Sequence, residues 1–186
     1  MGKLQRPVQD GELRTASLAA ATGVAAFFRC SEVNQRWAGG DVSLPDIVHD
    51  FPIKAAASQV FCAVSTPAEL DRWWTVRSTG EPRLGAGYEL WFGPEYDWRA
   101  RVTRCKPEVE FELELTRADK EWVGTKVGFQ LDAKGGATQV RFHHLGWPAA
   151  TEHYRVSCYC WAMYLRVLRR YLEYGESVPC ERRLDV

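Results

Sequence analysis

Hydrophobic residues recur at helical spacing near the C-terminal end of the chain, between Thr151 and Gly175. Steps of three and four residues separate them, which is the spacing of one face of an α-helix. The residues of this stripe are Cys158, Trp161, Leu165, Leu168 and Leu172, and Tyr164, Val167 and Tyr171 widen it. Thr151 is suited to the N-cap, and Gly175 followed by Pro179 is typical of a helix end. The pattern predicts one long helix whose broad apolar face is covered by a sheet.

A period of two residues, typical of half-buried strands, begins just after Asp46. Ile47, His49, Phe51 and Ile53 occupy alternate positions, so we expect His49 to point inward. Between residues 88 and 145 the chain has the pattern of an antiparallel meander, with Gly135 and Gly136 as a hairpin turn. The predicted strands are Tyr88–Phe92, Tyr96–Arg104, Val109–Thr116, Thr125–Ala133 and Ala137–Leu145.

One of these strands, FELELT, alternates strictly between apolar and acidic residues. The apolar residues are Phe111, Leu113 and Leu115, and the acidic ones are Glu110, Glu112 and Glu114. Arginines on the neighbouring strand alternate in the same way, so we expect Glu and Arg to pair across a solvated face.

Two short helices are predicted after the first strand, in the stretch AAASQVFCAVSTPAELDRWW. Val60, Phe61 and Val64 form the apolar side of the first helix, and Pro67 begins the second. The predicted architecture is therefore α+β: a curved antiparallel sheet around one long C-terminal helix, with two short helices after the first strand. The concave space between sheet and long helix is the candidate site.

Residues 1–45 differ from the rest of the chain. The apolar run Leu18–Phe28 is far shorter than the roughly twenty residues that span a bilayer. Acidic residues precede it where a signal peptide would be basic, and Arg29 follows it directly. We expect an N-terminal extension over residues 1–45, partly helical or disordered, and one folded domain over residues 46–186.

Charge and cysteine content narrow the classes of function. The chain has 24 Lys and Arg residues and 24 Asp and Glu residues, so its formal net charge is zero. Such a chain has no overall positive charge to attract a nucleic acid. We expect no nucleic-acid partner, no stable membrane insertion and a cytoplasmic location. The six cysteines have no zinc-type spacing and are expected to be reduced, mostly buried thiols. The four histidines form no facial-triad spacing, so neither a metal nor a cofactor is expected.

The stretch FPIKAAASQVFCAVSTPAELDRWW resembles the opening of SRPBCC, or START-like, domains. GWP at residues 146–148 and WAMYLRVLRRYLEYGESVP at residues 161–179 resemble the closing helix of the subgroup related to the activator of heat-shock-protein-90 ATPase. The resemblance covers about residues 46–181. It implies a helix-grip fold, with a seven-stranded antiparallel sheet and often an apolar ligand tunnel. Family members include lipid carriers, hormone receptors, polyketide cyclases, oxygenase domains and co-chaperone modules, so fold leaves function open.

In such a fold the inward side chains of helix and sheet would line a ligand site. The candidate ligand-binding residues are His49, Trp98, Phe111, Leu113, Phe129, Phe142, His144, Tyr154, Cys158, Trp161 and Leu165. They are mostly apolar, as a site for a hydrophobic molecule would be. The same residues would also fill a solid core. His144 should point inward and His143 outward, because neighbouring strand residues face opposite sides.

Three functions fit this sequence. The first is non-catalytic binding of a small hydrophobic or aromatic molecule. The second is a polyketide cyclase or dehydratase, in which His144 or His49 would be the general base. Neither histidine has an activating partner visible in the sequence, so no catalytic residue is assigned. The third is a co-chaperone-like interaction module, and a homodimer and a chaperone partner both stay open.

Overall fold

The computed structural model describes residues 45–185. The expected extension over residues 1–45 lies outside the described residues except for Pro45, as do its apolar run Leu18–Phe28 and Cys30.

Seven antiparallel strands form a single sheet, in the order β1-β7-β6-β5-β4-β3-β2. The strands are β1 (Ile47–Ile53), β2 (Arg77–Gly80), β3 (Gly87–Gly93), β4 (Tyr96–Lys106), β5 (Glu110–Arg117), β6 (Lys126–Lys134) and β7 (Ala137–Leu145). β2 was not predicted, because its sequence RSTG is polar and only Ser78 in it is buried. Gly135 and Gly136 both have positive φ and form the hairpin between β6 and β7, as predicted.

In the described part of the chain three α-helices accompany the sheet: α1 (Ala57–Ser65), α2 (Pro67–Trp73) and α3 (Glu152–Tyr174), with a short 3-10 turn at Cys180–Arg182. Thr151 is the N-cap of α3, where its hydroxyl accepts a hydrogen bond from the Tyr154 backbone at 3.1 Å. Gly175 ends the helix in the left-handed conformation, with φ of 67°. The predicted helix-grip architecture, including both short helices, is confirmed.

Relative to the five central residues of the predicted stripe, the buried face of α3 is rotated by roughly 60° about the helix axis. The rotation is towards Tyr164 and Val167, which were predicted to widen the stripe and are buried. The buried residues of α3 are Ser157, Cys160, Trp161, Tyr164, Leu165, Val167 and Leu168. Cys158 and Leu172, which belong to the predicted stripe, are only half-buried. The rotation turns the rings of Trp161 and Tyr164 towards the tryptophans of other elements, where they contribute more buried area than a Cys or Leu would.

The cysteines are less buried than the sequence suggested. All five within residues 45–185 are free thiols. Only Cys160 is fully buried, while Cys62 is exposed. No helix within residues 45–185 is both long and apolar enough to cross a membrane.

Irregularities interrupt the regular pairing of β4 with both of its neighbours, β3 and β5. The register between β3 and β4 shifts between Trp91 and Gly93, which leaves Phe92 as the extra residue of a bulge. The pairing between β4 and β5 contains two further register shifts. A bulge can re-aim a side chain, and Phe92 packs against Trp98 on the next strand.

Candidate functional site

A small cavity lies between α3, the end of α2 and the hairpin that joins β3 to β4. Its volume is about 20 Å³, which is room for a single water molecule. The lining residues are Trp74, Phe92, Tyr96, Trp98, Trp122, Ser157, Cys160, Trp161 and Tyr164. Seven of these nine side chains are aromatic, so the site offers flat apolar walls with few polar groups.

The aromatic walls come from separate parts of the chain. Trp161 lies on the buried face of α3, with its ring centroid 5.3 Å from that of Trp74. Trp98 occupies an inward position of β4, and Phe92 is the bulge residue of β3. Trp122 lies in the connection between β5 and β6, with its ring 4.7 Å from Trp98 and 5.9 Å from Trp161. The cavity is therefore formed by tertiary packing rather than by one local motif.

His144 lies directly behind this aromatic wall, on the inward side of β7, and is fully buried. Its Nδ1 accepts a hydrogen bond from Trp161 Nε1 at 3.0 Å. Since an indole N–H can only donate, Nδ1 carries no proton, and Nε2 must donate to Thr125 Oγ1 at 2.8 Å. The Thr125 hydroxyl in turn donates to the Trp122 carbonyl at 2.6 Å. These three hydrogen bonds form a relay in which each group donates to the next, from Trp161 through His144 and Thr125 to the Trp122 carbonyl.

Burial holds the pKa of His144 well below its ordinary value, and the charges of His143 and His153 act in the same direction. The imidazole is therefore neutral at physiological pH. Its only lone pair is already occupied by the Trp161 N–H. To act as a general base, His144 would have to break that hydrogen bond and accept a charge in a dry core.

Two residues that line the cavity carry buried polar atoms with no hydrogen-bond partner among residues 45–185. These atoms are Ser157 Oγ and Trp122 Nε1. A third such atom, Trp147 Nε1, lies behind Trp122 and does not line the cavity. Buried polar groups are normally paired, so donors without partners at a cavity wall are the main chemical feature of this site.

Four of the candidate residues from the sequence lie at or beside the cavity. Trp98 and Trp161 line it. His144 and Phe142 form the layer behind, with the Phe142 ring 4.5 Å from that of Trp161. Alternation along the strands identified Trp98, Phe142 and His144, and the helical spacing of α3 identified Trp161.

Three other candidates, Phe111, Leu113 and Phe129, are buried at a different place. Phe111 packs edge-on against Phe61 of α1, with ring centroids 6.3 Å apart. Phe129 packs edge-on against Trp73 of α2 at 6.0 Å. The two short helices therefore fill the space in front of these sheet residues, which the structure does not bring to the cavity.

The remaining candidates are Leu165, which lies in the buried face of α3, and the half-buried residues His49, Tyr154 and Cys158. His49 Nε2 is buried without a hydrogen-bond partner among residues 45–185, and its ring lies 6.1 Å from Phe142. Burial lowers the pKa of His49. Tyr154 donates to the Asp46 carbonyl at 3.3 Å, and Cys158 lies one turn further along α3.

Within residues 45–185 no three His, Cys, Asp or Glu side chains are grouped to hold a metal ion.

Sequence reasoning missed most of the cavity wall. The missed residues are Trp74, Phe92, Tyr96, Trp122, Ser157 and Cys160, whereas Tyr164 was predicted to lie on the apolar side of the long helix. Ser157, Trp161 and Tyr164 share one face of a helix by their spacing, which is a signal that could have been used. Trp122 in a connection and Phe92 in a bulge follow no period, so the pattern holds no signal for them.

Comparison with known proteins places this fold in a family. The family model described as "Activator of Hsp90 ATPase homolog 1-like protein" matches residues 54–173. A search of curated proteins finds no match.

Solved structures match the same part of the chain. The solution structure of the Aha1 dimer from Colwellia psychrerythraea has a TM-score of 0.66 and 27% identity, covering 72% of this chain and 100% of that one. SSP2350 from Staphylococcus saprophyticus has a TM-score of 0.62 and 16% identity, covering 72% of this chain and 96% of that one. CalU16 from Micromonospora echinospora has a TM-score of 0.59 and 20% identity, covering 75% and 80%. The last two similarities concern the fold alone.

The helix-grip architecture and the family match over residues 54–173 agree: this chain belongs to the activator of Hsp90 ATPase homolog 1-like family of START-like domains.

Proposed function

We propose that this domain binds a small aromatic or hydrophobic molecule in the cavity beside Trp161, without catalysing a reaction on it. The observation that supports this is the composition of the cavity wall, in which seven of nine side chains are aromatic and none is charged. Ligand sites are lined predominantly by hydrophobic and aromatic side chains with a few polar groups, and Ser157 and Trp122 supply polar groups here.

The cavity must open to admit such a molecule. Its volume is about 20 Å³, whereas ligand sites commonly measure about 300–1,000 Å³. Tyr96 and Phe92 are both half-buried and lie at the β3–β4 turn around Gly93 and Pro94. Because Phe92 is a bulge residue outside the regular pairing, its side chain can move without breaking the central strands. We place the entrance at this turn.

Binding of naphthalene tests the proposal, since this probe is a rigid aromatic with no hydrogen-bonding group. We expect the wild-type protein to bind it, measured by calorimetry and by the rise in unfolding temperature. Tyr96→Ala should bind about three to ten times more tightly, because removing the ring at the entrance lowers the cost of opening. Tyr174→Ala is the matched control, because Tyr174 is 67% exposed at the far end of α3 and should leave affinity unchanged.

Ser157→Leu tests whether binding occurs in this cavity, because the added methyl groups would occupy its volume. We expect naphthalene binding to be lost while the unfolding transition is retained. If neither wild type nor Tyr96→Ala binds naphthalene or an uncharged aromatic analogue of the same shape, the proposed function is wrong. If Ser157→Leu binds as the wild type does, the ligand occupies another site.

A cyclase or dehydratase has weaker support. The lone pair of His144 is engaged by Trp161, so this residue is poorly placed to be a general base. His49 Nε2 has no partner among residues 45–185, but His49 does not line the aromatic cavity. Turnover of a polyketide-like substrate that disappears in His49→Ala would favour the enzyme over the binding module.

Interaction with a chaperone is a second candidate function. Family membership supports it, together with the 27% identity to a protein solved as an Aha1 dimer. If this function operates, the protein should increase the ATPase rate of Hsp90, and Ser157→Leu should do so equally well because it changes only the interior. Sedimentation velocity would show whether the chain itself forms a homodimer.

A further inference from the structure

The hydrogen-bonding groups around the cavity narrow the class of ligand, given that the proposed function holds. We infer that the preferred ligand is an uncharged aromatic molecule carrying a hydrogen-bond acceptor, which Ser157 Oγ and Trp122 Nε1 would contact.

Both of these polar atoms are hydrogen-bond donors without partners. An indole N–H can only donate, and a serine hydroxyl carries one donor hydrogen. Ser157 is 1% exposed and Trp122 is 4% exposed, and neither polar atom has a partner among residues 45–185. A buried donor that stays unpaired is destabilising, because it has lost its hydrogen bond to water without gaining another. Both residues line the same cavity, so one acceptor placed there could satisfy both.

The acceptors of the neighbouring relay are already engaged. His144 Nδ1 accepts from Trp161, and Thr125 Oγ1 accepts from His144 while donating to the Trp122 carbonyl. No residue that lines the cavity has a carboxylate or an amide side chain. Tyr96 and Tyr164 also line it and carry hydroxyls, but neither Ser157 Oγ nor Trp122 Nε1 is paired with any group of residues 45–185. We therefore assign the acceptor to the molecule that occupies the cavity.

A water molecule and a ligand acceptor are alternatives at this position. The cavity volume of about 20 Å³ fits one water molecule, whose oxygen can accept from both donors. A ligand that displaces a well-placed water gains affinity only if it reproduces the hydrogen bonds of that water. A carbonyl oxygen or an aromatic ring nitrogen can do so, whereas a plain hydrocarbon cannot.

The ligand should also be uncharged. None of the nine lining residues is charged, and His144 behind them is held neutral by burial. Moving a carboxylate or an ammonium group into such a site has a large desolvation cost with no opposite charge to offset it.

Naphthalene and quinoline provide a matched pair of probes. They have nearly the same shape, and quinoline, uncharged at mildly alkaline pH, adds one acceptor nitrogen and no donor. In the wild type, quinoline should bind at least as tightly as naphthalene despite being better hydrated. The Trp122 indole N–H resonance should move downfield with quinoline by more than it moves with naphthalene.

Variants show whether the two donors cause this preference. In Ser157→Ala and in Trp122→Phe, the affinity for quinoline relative to naphthalene should fall about tenfold, the factor that one hydrogen bond of ordinary strength supplies. Trp147→Phe is the matched control, because it also removes a buried indole N–H without a partner but does not alter the cavity wall. The relative affinity should be unchanged in this control.

The outcomes separate the two proposals. If the wild type binds neither probe, the ligand site itself is refuted. If it binds both, and the ratio of affinities is the same in Ser157→Ala, Trp122→Phe and wild type, the ligand site stands and the acceptor requirement is wrong. In that case the two donors serve a structural water only.

Discussion

Glu112 Oε2 and His143 Nε2 lie 3.0 Å apart on the outer face of the sheet, although their strands are not neighbours. Gly128 of β6 is in register with both, between β5 and β7. A Cβ atom at Gly128 would come within 2.8 Å of His143 Cε1. The missing side chain at Gly128 therefore lets the imidazole lie across β6 and reach the carboxylate.

Replacing Gly128 by alanine should destabilise the fold by about 1–3 kcal/mol, because the new methyl group collides with the His143 ring and forces it away from Glu112. Urea denaturation would measure the change in free energy of unfolding. Gly87→Ala is the matched control, since Gly87 also lies in a strand and nothing is within 4 Å of its Cβ position. Equal stability of the two variants would contradict the interpretation that Gly128 leaves room for the His143 ring.

The Glu112–His143 pair should make stability depend on acid pH. The hydrogen bond from His143 holds the pKa of Glu112 at about 2, below its ordinary value of 4.5, and the hydrogen bond from Thr103 adds to this. Arg104 and Lys126 also face this carboxylate. Because the pKa is lowered by folding, the stabilisation is complete above pH 4.5 and is lost as the pH falls towards 2.

The variant Glu112→Gln isolates this contribution, because glutamine does not titrate. The stability advantage of wild type over Glu112→Gln should be greatest near neutral pH and should shrink below about pH 4.5. Glu114→Gln is the control, since Glu114 lies on the same strand and face but is less buried. A wild-type advantage that stays constant down to pH 2 would show that Glu112 does not stabilise the fold as a carboxylate.

The sequence predicted which way Glu112 points but not its environment. Strict alternation in FELELT indicates that the three glutamates share the outer face, and they do. Glu112 is nonetheless only 3% exposed, where a solvated position was expected. Its burial depends on the register that aligns Gly128 and His143 with it, and alternation within one strand does not determine register between strands.

Only part of the cavity could be predicted, because a pattern within one element does not show which elements meet in space. Trp98 and Trp161 follow from periodic patterns, and the overall helix-grip fold follows from the order of elements. Trp122 and Phe92 stand in a connection and a bulge, where no period applies. The relay through His144 requires knowledge of which side chains meet in space, so sequence reasoning could place His144 inward but could not assign its partners.

That relay should be visible by NMR. We expect nitrogen chemical shifts of His144 that are characteristic of the neutral Nε2–H tautomer, because Nδ1 accepts from Trp161. The shifts should stay unchanged as the pH is lowered below 6, because burial lowers the pKa of this residue. An Nδ1–H tautomer could not accept from the Trp161 N–H and would contradict the assignment.

Thr125→Val should break the relay while keeping the shape of the side chain. It leaves the His144 N–H without its acceptor and removes one of the two hydrogen bonds to the Trp122 carbonyl, which keeps the Thr125 backbone N–H at 3.0 Å. The loss should cost about 1–3 kcal/mol of folding free energy. Thr79→Val is a suitable control, because Thr79 is an exposed strand residue on the edge of the sheet. A loss of stability no larger than that of the control would mean that the hydrogen bonds of Thr125 contribute little.

Arg183 connects the C-terminal end of the described chain to α2, and this contact should be essential for full stability. The guanidinium is 5% exposed and donates to the backbone carbonyls of Thr75 at 2.8 Å, Asp71 at 2.6 Å and Val178 at 3.1 Å. Arg183→Ala leaves these carbonyls without that donor and should destabilise the protein by about 2–4 kcal/mol.

Arg183→Lys should recover only part of this loss, because one ammonium group cannot reproduce the planar fork of the guanidinium. Arg182→Ala is the matched control, since the neighbouring Arg182 is exposed. Chemical denaturation of the three variants measures the effect. If Arg183→Ala and Arg182→Ala unfold at the same denaturant concentration, the C-terminal residues are only loosely attached and the buried arginine does not hold α2 in place.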